Sequence, residues 1–364
     1  MIFQPMYFGI DPYLVGRLSG YVGRTVRSQA IVRIIASRCH DYQQGDVFWS
    51  RDFPWTTAHV LTKSKVDRWV QLRTMLKISS SKKKEEREET TQEPDMLSLL
   101  YLGALGTTGL TAYYGLLTIG CLKEGDKVFI SGAAGATGYI AGQIAKLKYK
   151  NIYLAGSAGS DEKVQWLIKE LNFDNGLNYK QFGEDRKKMQ QCLQQLFPNG
   201  IDLYFDNTGG LITECVWDLL NSKARVVVCG QIARYDKITR LKKTKIQSSS
   251  SSSSATAAAD GDNDSDSSSS IGKIDDFLFK LIYKEIRIQG FDVDDCKDWT
   301  PFYRDMKNWI SKKQLYTKET VALGFENLPS ALEGLFTGKN TGKMIVKCTD
   351  ADLASDQSSL KSKL

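Results

Sequence analysis

The sequence predicts an α/β fold built around a doubly wound parallel sheet. In its middle part, short apolar segments typical of strands alternate with segments whose apolar residues recur at helical spacing, and a glycine-rich turn joins one such pair. The length of 364 residues, of which 41% are hydrophobic, is enough for a sizeable core and favours two domains. Strands that alternate with helices predict a parallel sheet covered by helices on both faces.

The predicted elements can be placed in chain order. A strand at Lys127–Ser131 leads through the glycine-rich turn into a helix from Thr137 to about Lys148. A second strand at Ile152–Ala155 precedes a helix that begins near Ser160. The other predicted elements are strands at Leu203–Phe205, Arg225–Cys229, Ile286–Ile288 and Met344–Val346, and helices at Pro301–Ile310 and Leu328–Leu335. We expect the C-terminal segment to leave the parallel sheet and to rejoin the N-terminal domain.

Two segments are too polar to bury apolar surface. Ser79–Pro94 contains a run of lysines, glutamates and one arginine, and Ser248–Ser270 consists almost entirely of serine, alanine and aspartate. Such compositions cannot offset the entropy that ordering costs, so we predict two insertions or loops.

The composition argues against several classes of partner. No apolar run reaches the ~20 residues that span a bilayer, and the N-terminus lacks a signal-peptide pattern, so neither membrane insertion nor secretion is expected. The net charge of +7 arises from basic residues interleaved with acidic ones, which does not favour a nucleic-acid partner. The 7 cysteines include no Cys-x-x-Cys pair and the 2 histidines are His40 and His59, so we predict free thiols and no metal site.

The segment Ser131–Gly138 is the most informative turn. Its glycines follow a G-x-x-G-x-x-G spacing between a strand and a helix, where the backbone can approach a pyrophosphate and the helix N-terminus offers free N–H groups. As a bare pattern it is weak, and a turn without a ligand is the alternative.

The end of the second strand, Ala155–Ser160, lacks the acid that would hold an NAD ribose, and Lys163 can meet a 2′-phosphate. We interpret Asp161 as a first-turn acid of the helix and therefore predict NADPH as cofactor.

Motifs along nearly the whole chain resemble the zinc-independent medium-chain reductases, and among these most closely the prostaglandin (15-oxoprostaglandin 13-) reductases. They are Tyr7–Tyr13, Leu102–Tyr113, Ser131–Gly138, Gly159–Lys163, Asn178–Lys180, Tyr204–Gly210, Cys229–Ile232, Gly324–Pro329 and Gly338–Lys343.

The resemblance implies a domain organisation. A partial GroES-like, β-rich catalytic domain would occupy residues 1–98, with the charged insertion at 79–94, and a Rossmann-type NADPH-binding domain residues 99–291, with the serine-rich insertion at 248–270. Residues 292–349 would return to the catalytic domain, and residues 350–364 would form a tail. The N-terminal domain is expected to be partial because the sequence begins inside the family pattern.

The resemblance also implies cofactor contacts. Gly135, Ala136, Thr137 and Gly138 would hold the pyrophosphate, Lys163 the 2′-phosphate, and Tyr179 would lie at the adenosine end. Asn207, Cys229, Gly230, Gln231 and Ile232 would line the nicotinamide half, with Phe291 a further cofactor residue and Asn340 closing over the cofactor. For Tyr179 packing at a strand edge is the alternative, and for Asn207 a turn built by its own side chain.

Without a metal, the implied chemistry is conjugate reduction rather than alcohol oxidation. Hydride added to the β-carbon of an enone gives an enolate that one or two hydrogen-bond donors can stabilise. Tyr235 matches a family tyrosine at the substrate carbonyl and is the first candidate, and Tyr283 is the second. Either tyrosine could instead only fill a pocket wall. Tyr13, Phe53 and Trp55 would supply apolar walls, although core packing explains Tyr13 equally well.

The predicted function is NADPH-dependent reduction of α,β-unsaturated ketones such as 15-oxoprostaglandins, with a small-molecule lipid enone as substrate. Two alternatives stay open: an NADPH quinone oxidoreductase of the same fold, and a catalytically inactive NADPH-binding protein. A homodimer is possible. The expected location is the cytoplasm, or the peroxisome if Ser362-Lys363-Leu364 acts as an address at the C-terminus.

Overall fold

A computed structural model describes residues 1–18, 23–71, 75–79, 99–235 and 277–349. The charged segment apart from Ser79, the serine-rich segment 248–270 and the tail 350–364 lie outside these ranges, so the predictions for them stay predictions. Within the described ranges, every helix is too short or too polar to cross a membrane.

The chain forms two compact units. The first consists of Met1–Tyr114, Ala133–Leu147 and the chain from Val293 onward, and the second of Gly115–Gly132 and Lys148–Asp292. The chain therefore passes from the second unit to the first within the glycine-rich turn. The predicted domain boundaries at 98/99 and 291/292 stay predictions.

A 7-stranded sheet, antiparallel apart from one parallel pair, forms the first unit. Its strands are β1 (Ile2–Ile10), β2 (Arg27–Ala36), β3 (Val47–Pro54), β4 (His59–Val60), β5 (Met75–Ser79), β12 (Glu319–Leu323) and β13 (Lys343–Lys347). The main order is β12-β13-β1-β2-β3-β5, with β4 paired to β1. The C-terminal strand β13 thus runs antiparallel beside β1, with Tyr7 opposite Lys347 and Ile10 opposite Met344.

The first unit also contains helices among the described residues. They are α1 (Leu14–Leu18), α2 (Lys63–Gln71), α3 (Thr107–Tyr114), α4 (Ala136–Lys148, in this unit as far as Leu147), α8 (Thr300–Ser311) and α9 (Leu328–Thr337). In α8 the buried residues are Phe302, Met306 and Trp309. The predicted helices at 301–310 and 328–335 are therefore observed, each with a proline in its first turn, where a missing N–H costs nothing.

A buried ion pair joins β13 to the end of β1. The side chain of Lys343 is fully buried, and its Nζ donates to Asp11 Oδ1 and, at 3.3 Å, to the carbonyl oxygen of Ile10. Gln29 Nε2 donates to the other Asp11 oxygen at 3.0 Å. Burial lowers the pKa of Lys343 while the Asp11 carboxylate opposes the change. Removing either partner would leave an uncompensated buried charge, which commonly costs about 3–5 kcal/mol.

The second unit contains a 6-stranded, wholly parallel sheet in the order β11-β10-β9-β6-β7-β8. Its strands are β6 (Lys127–Ile130), β7 (Tyr153–Ala158), β8 (Asn175–Asn178), β9 (Ile201–Asp206), β10 (Leu220–Val228) and β11 (Arg287–Gly290), and its helices include α5 (Asp161–Leu171), α6 (Arg186–Leu196) and α7 (Leu211–Trp217). Phe129 and Tyr204 stack in its core with ring centroids 5.7 Å apart. Together with the antiparallel sheet of the first unit, this parallel sheet confirms the predicted fold class.

The helix α5 begins where predicted, with Asp161 in its first turn. Ser160 is extended, and its hydroxyl accepts from the backbone N–H of Lys163. Asp161 occupies the first turn, where a carboxylate is favoured by the helix dipole, and its Oδ1 accepts from Asn178 and Gln181.

Candidate cofactor site and active site

Three loops of the second unit follow neighbouring parallel strands at the carboxyl edge of the sheet. They begin at Ser131 after β6, at Asn207 after β9 and at Cys229 after β10. The backbone N–H of Asn207 donates to Ser131 Oγ at 2.9 Å, and its side-chain Nδ2 donates to the Ser131 carbonyl at 2.8 Å. In open parallel sheets this edge is where ligands bind, so the structure places the predicted nicotinamide residues at such an edge.

Glycines let these loops pack closely. Gly132 and Gly209 have positive φ values of 61° and 64°. A Cβ at Gly209 would lie 2.1 Å from Gln231 Oε1, and a Cβ at Gly230 would lie 2.9 Å from the Asn207 carbonyl oxygen. A larger residue at Gly230 would therefore press on the Asn207 backbone, whereas one at Gly209 would displace the Gln231 side chain and strain a positive φ.

The rest of the glycine-rich turn belongs to the first unit, at the start of α4. Gly135 forms a β-bridge with Gly342, and the Gly342 N–H donates to the Ala134 carbonyl at 2.9 Å. Asn340 Nδ2 donates to the Gly342 carbonyl at 2.8 Å. Ala136, Thr137 and Gly138 form the first turn of α4, where N–H groups are available for an anion. The structure thus brings Asn340 to the predicted pyrophosphate residues.

Two lysines and a tyrosine lie beyond the end of β7, beside Gly159. A Cβ at Gly159 would be 3.3 Å from both Lys180 Cε and the Tyr179 hydroxyl. Burial and the charge of Lys180 lower the pKa of Lys163. Two neighbouring ammonium groups and a phenol can together donate hydrogen bonds to a dianionic phosphate. Lys180 was not among the predicted site residues, although it directly follows Tyr179 in the motif.

The two candidate tyrosines lie in different environments. Tyr235 follows the 3₁₀ turn Ile232–Arg234, is half-buried, and has its pKa raised by burial. Tyr283 is 77% exposed, on helical residues 277–283, and its ring stacks on Phe279 at 5.9 Å. Of the two, Tyr235 therefore has the more enclosed hydroxyl. The ring of Phe291 lies against Gly115, where a Cβ would be 2.7 Å from its Cζ.

The predicted apolar pocket walls divide between core and surface. Phe53 is fully buried in the core of the first unit, with its ring 6.4 Å from that of Phe8. Trp55 packs partly against the same core and donates from Nε1 to Ser28 Oγ at 2.9 Å. Tyr13 is 37% exposed, which leaves its side chain accessible. Phe53 therefore has a packing role, whatever its part in binding.

The described residues contain no group of three or more His, Cys, Asp or Glu side chains that could hold a metal ion.

A parallel sheet with a glycine-rich turn and paired lysines defines a dinucleotide-binding protein of the Rossmann class. No protein-family model matches the chain. It is 34% identical over 360 residues to the putative NADP-dependent oxidoreductase YfmJ of Bacillus subtilis, covering 96% of this chain and 88% of the relative. It is 32% identical over 351 residues to prostaglandin reductase 1 of Bos taurus, covering 95% and 89%. The chain belongs to the zinc-independent medium-chain dehydrogenase/reductase family.

Among solved structures, the fold is similar to that of CurA from Vibrio vulnificus in complex with NADPH. The TM-score is 0.72 at 27% sequence identity, and the match covers 96% of this chain and 90% of CurA.

Proposed function

We propose that the chain is an NADPH-dependent reductase of carbon–carbon double bonds conjugated to a carbonyl. The observation that carries the cofactor assignment is the pair Lys163 and Lys180 beside Tyr179, because a 2′-phosphate distinguishes NADPH from NADH. The NADPH complex of CurA and the NADP-dependent name of the Bacillus relative support the same cofactor.

The protein side of the reaction needs a hydrogen-bond donor at the substrate carbonyl. When bound, NADPH would supply a hydride to the β-carbon of the enone. The π pair of the carbon–carbon double bond would then form the enolate double bond to the carbonyl carbon, and the carbonyl π pair would move onto the oxygen. The raised pKa of Tyr235 keeps its hydroxyl protonated, so that it can donate to this oxygen throughout the neutral pH range. Protonation of the α-carbon by water then completes the saturated ketone.

The finer proposal for the substrate is a 15-oxoprostaglandin or a similar lipid enone. It is supported by the relation to prostaglandin reductase 1. Homodimerisation, and the choice between cytoplasm and peroxisome, stay predictions from the sequence.

Steady-state turnover of 15-oxo-prostaglandin E2 and of a small enone such as 3-nonen-2-one, each with NADPH and with NADH, tests the proposal. Tyr235→Phe should lower kcat about 10²-fold, because it removes one donor to the developing oxyanion, and should leave NADPH affinity unchanged. Tyr316→Phe is the matched control: its ring is 48% exposed and only its backbone hydrogen-bonds to Gln143. Turnover of a quinone but of neither enone would overturn the proposal in favour of a quinone reductase.

A further inference from the structure

A single buried carboxylate joins the three loops at the carboxyl edge of the parallel sheet. Asp206 is the last residue of β9 and is 1% exposed. In the sheet order β9 lies between β10 and β6, so Asp206 is flanked by the ends of both neighbouring strands. Asp206 lies within the motif Tyr204–Gly210, but the predicted site residue of this motif is the next one, Asn207.

The carboxylate of Asp206 accepts from donors on each of the three loops. Its Oδ1 accepts from Ser131 Oγ at 2.9 Å, in the loop after β6, and from the backbone N–H groups of Thr208 and Gly209 at 2.9 and 2.8 Å, in the loop after β9. Its Oδ2 accepts from Gln231 Nε2 at 3.2 Å, in the loop after β10. Oriented neutral donors stabilise a carboxylate buried in this way, and their hydrogen bonds to it in turn fix the positions of the loops that carry them.

The backbone carbonyl of Asp206 and two further hydroxyl groups complete the hydrogen-bond network. The Asp206 carbonyl oxygen accepts from the N–H groups of Cys229 and Gly230 at 2.8 and 3.0 Å. The hydroxyls of Tyr204 on β9 and Thr213 on α7 also donate to the carboxylate, each at 2.9 Å. Ser131 relays the contact further, because its hydroxyl donates to Asp206 and accepts from the backbone N–H of Asn207.

We infer that Asp206 is a positioning residue for the nicotinamide half of NADPH. Through its two oxygens it fixes Gln231 and, by way of Ser131, Asn207, while its carbonyl fixes Cys229 and Gly230. The family resemblance predicts these residues at the nicotinamide end, and the inference rests on the proposed NADPH-dependent function. The adenosine end depends on Lys163, Tyr179 and Lys180, which lie beyond β7 and have no hydrogen bond to Asp206 among those described.

The variant Asp206→Asn tests the binding of the two ends of the cofactor separately. An amide at this position keeps one acceptor but turns its NH₂ group toward a donor, so one loop loses its partner. We expect the dissociation constant of NADPH to rise about 10-fold or more, because a buried donor left without its acceptor no longer holds its loop in place. The dissociation constant of adenosine 2′,5′-bisphosphate, which lacks the nicotinamide half, should stay within about 2-fold of wild type. Both are measured by calorimetry on the cofactor-free protein.

Two further variants keep the test decisive. Thr213→Val is the matched control, because it removes a donor to the same carboxylate from α7, outside the three loops, and should change neither dissociation constant by more than about 2-fold. If Asp206→Asn does not fold, Ser131→Ala takes its place: it breaks the relay to Asn207 and should weaken NADPH about 3- to 10-fold while sparing the bisphosphate.

The outcomes distinguish the inference from the proposed function. Selective weakening of NADPH supports the positioning role. Wild-type NADPH affinity in folded Asp206→Asn, or in Ser131→Ala where it takes its place, would overturn it, and so would an equal loss of affinity for both ligands. If the wild-type protein itself binds the bisphosphate and NADPH no better than it binds NADH, then the proposed cofactor is wrong, and the positioning role fails with it.

Discussion

Lys163 lies in the first turn of α5, where burial and the Lys180 ammonium both disfavour its charged form. A bound 2′-phosphate would stabilise that charge. Lys163→Ala should therefore raise the KM for NADPH roughly 10- to 100-fold, since a charge-assisted hydrogen bond contributes about 1.5–3 kcal/mol, and should hardly change the KM for NADH. Lys169→Ala, on the exposed last turn of the same helix, is the control that removes an equal charge. A parallel change for both cofactors in Lys163→Ala would contradict the assignment.

Lys163 should also make the KM for NADPH depend on pH. Because the pKa of Lys163 is lowered from its ordinary 10.5, its ammonium is lost at a lower pH than that of an exposed lysine. NADPH binds the protonated form, so its KM should be flat around neutral pH and rise as the pH increases toward 10.5. The rise should be absent with NADH and absent in Lys163→Ala. A KM for NADPH that stays flat up to pH 10.5 would show that Lys163 does not bind the phosphate.

At the scale of residues, the sequence predicted the kind of site, a cofactor site for NADPH, but not the residues Lys180 and Asp206 that complete it. Lys163 could be chosen because it follows a strand end that lacks an acid, a position with known chemical meaning. Lys180 and Asp206 also lie within family motifs, yet their roles are visible only in the folded chain. Lys180 approaches Lys163, and Asp206 accepts hydrogen bonds from three loops. Their partners are distant in sequence, and no spacing rule connects them.

The turn before β13 shows how an element's end shapes the predicted site. Gly342 has a φ of +70°, and a Cβ there would lie 2.0 Å from the Lys318 carbonyl oxygen. Gly342→Ala should therefore displace the turn that bridges to Gly135, lowering Tm and raising the KM for NADPH. Gly183→Ala is the matched control: its φ is +53°, but a Cβ there meets nothing within 4 Å, so only the backbone penalty of about 1 kcal/mol is expected. Equal Tm shifts in thermal unfolding of the two variants would contradict the steric account.

At the scale of elements, the strands and helices predicted in the middle and C-terminal parts of the chain are present, whereas the N-terminal strands β1, β2 and β3 and the polar strand β8 were not predicted individually. The predicted strand at 225–229 covers only the second half of β10, because Lys223 in its first half has a φ of +62° and interrupts the regular pairing. The strand β8 was not predicted at all, since Asn-Gly-Leu-Asn is typical of a turn. It exists because pairing with β7 satisfies its backbone groups.

At the scale of the whole molecule, the parallel sheet could be predicted from alternation of strands and helices, but the antiparallel sheet required the family resemblance. Its outer members β12 and β13 are separated from β1 by more than three hundred residues of sequence, and local patterns carry no information about such pairing. The fold alone does not identify the reaction, because proteins with the same architecture act on different substrates.

Transfer of a labelled hydride tests the central claim most directly. NADPH deuterated at C4 of the nicotinamide is turned over with 3-nonen-2-one, and the product is examined by NMR and mass spectrometry. Conjugate reduction predicts a saturated ketone with one deuterium on the β-carbon and none on the α-carbon, whose hydrogen comes from water. An alcohol with deuterium on the former carbonyl carbon, or no reduced product from a protein that binds NADPH, would contradict the account.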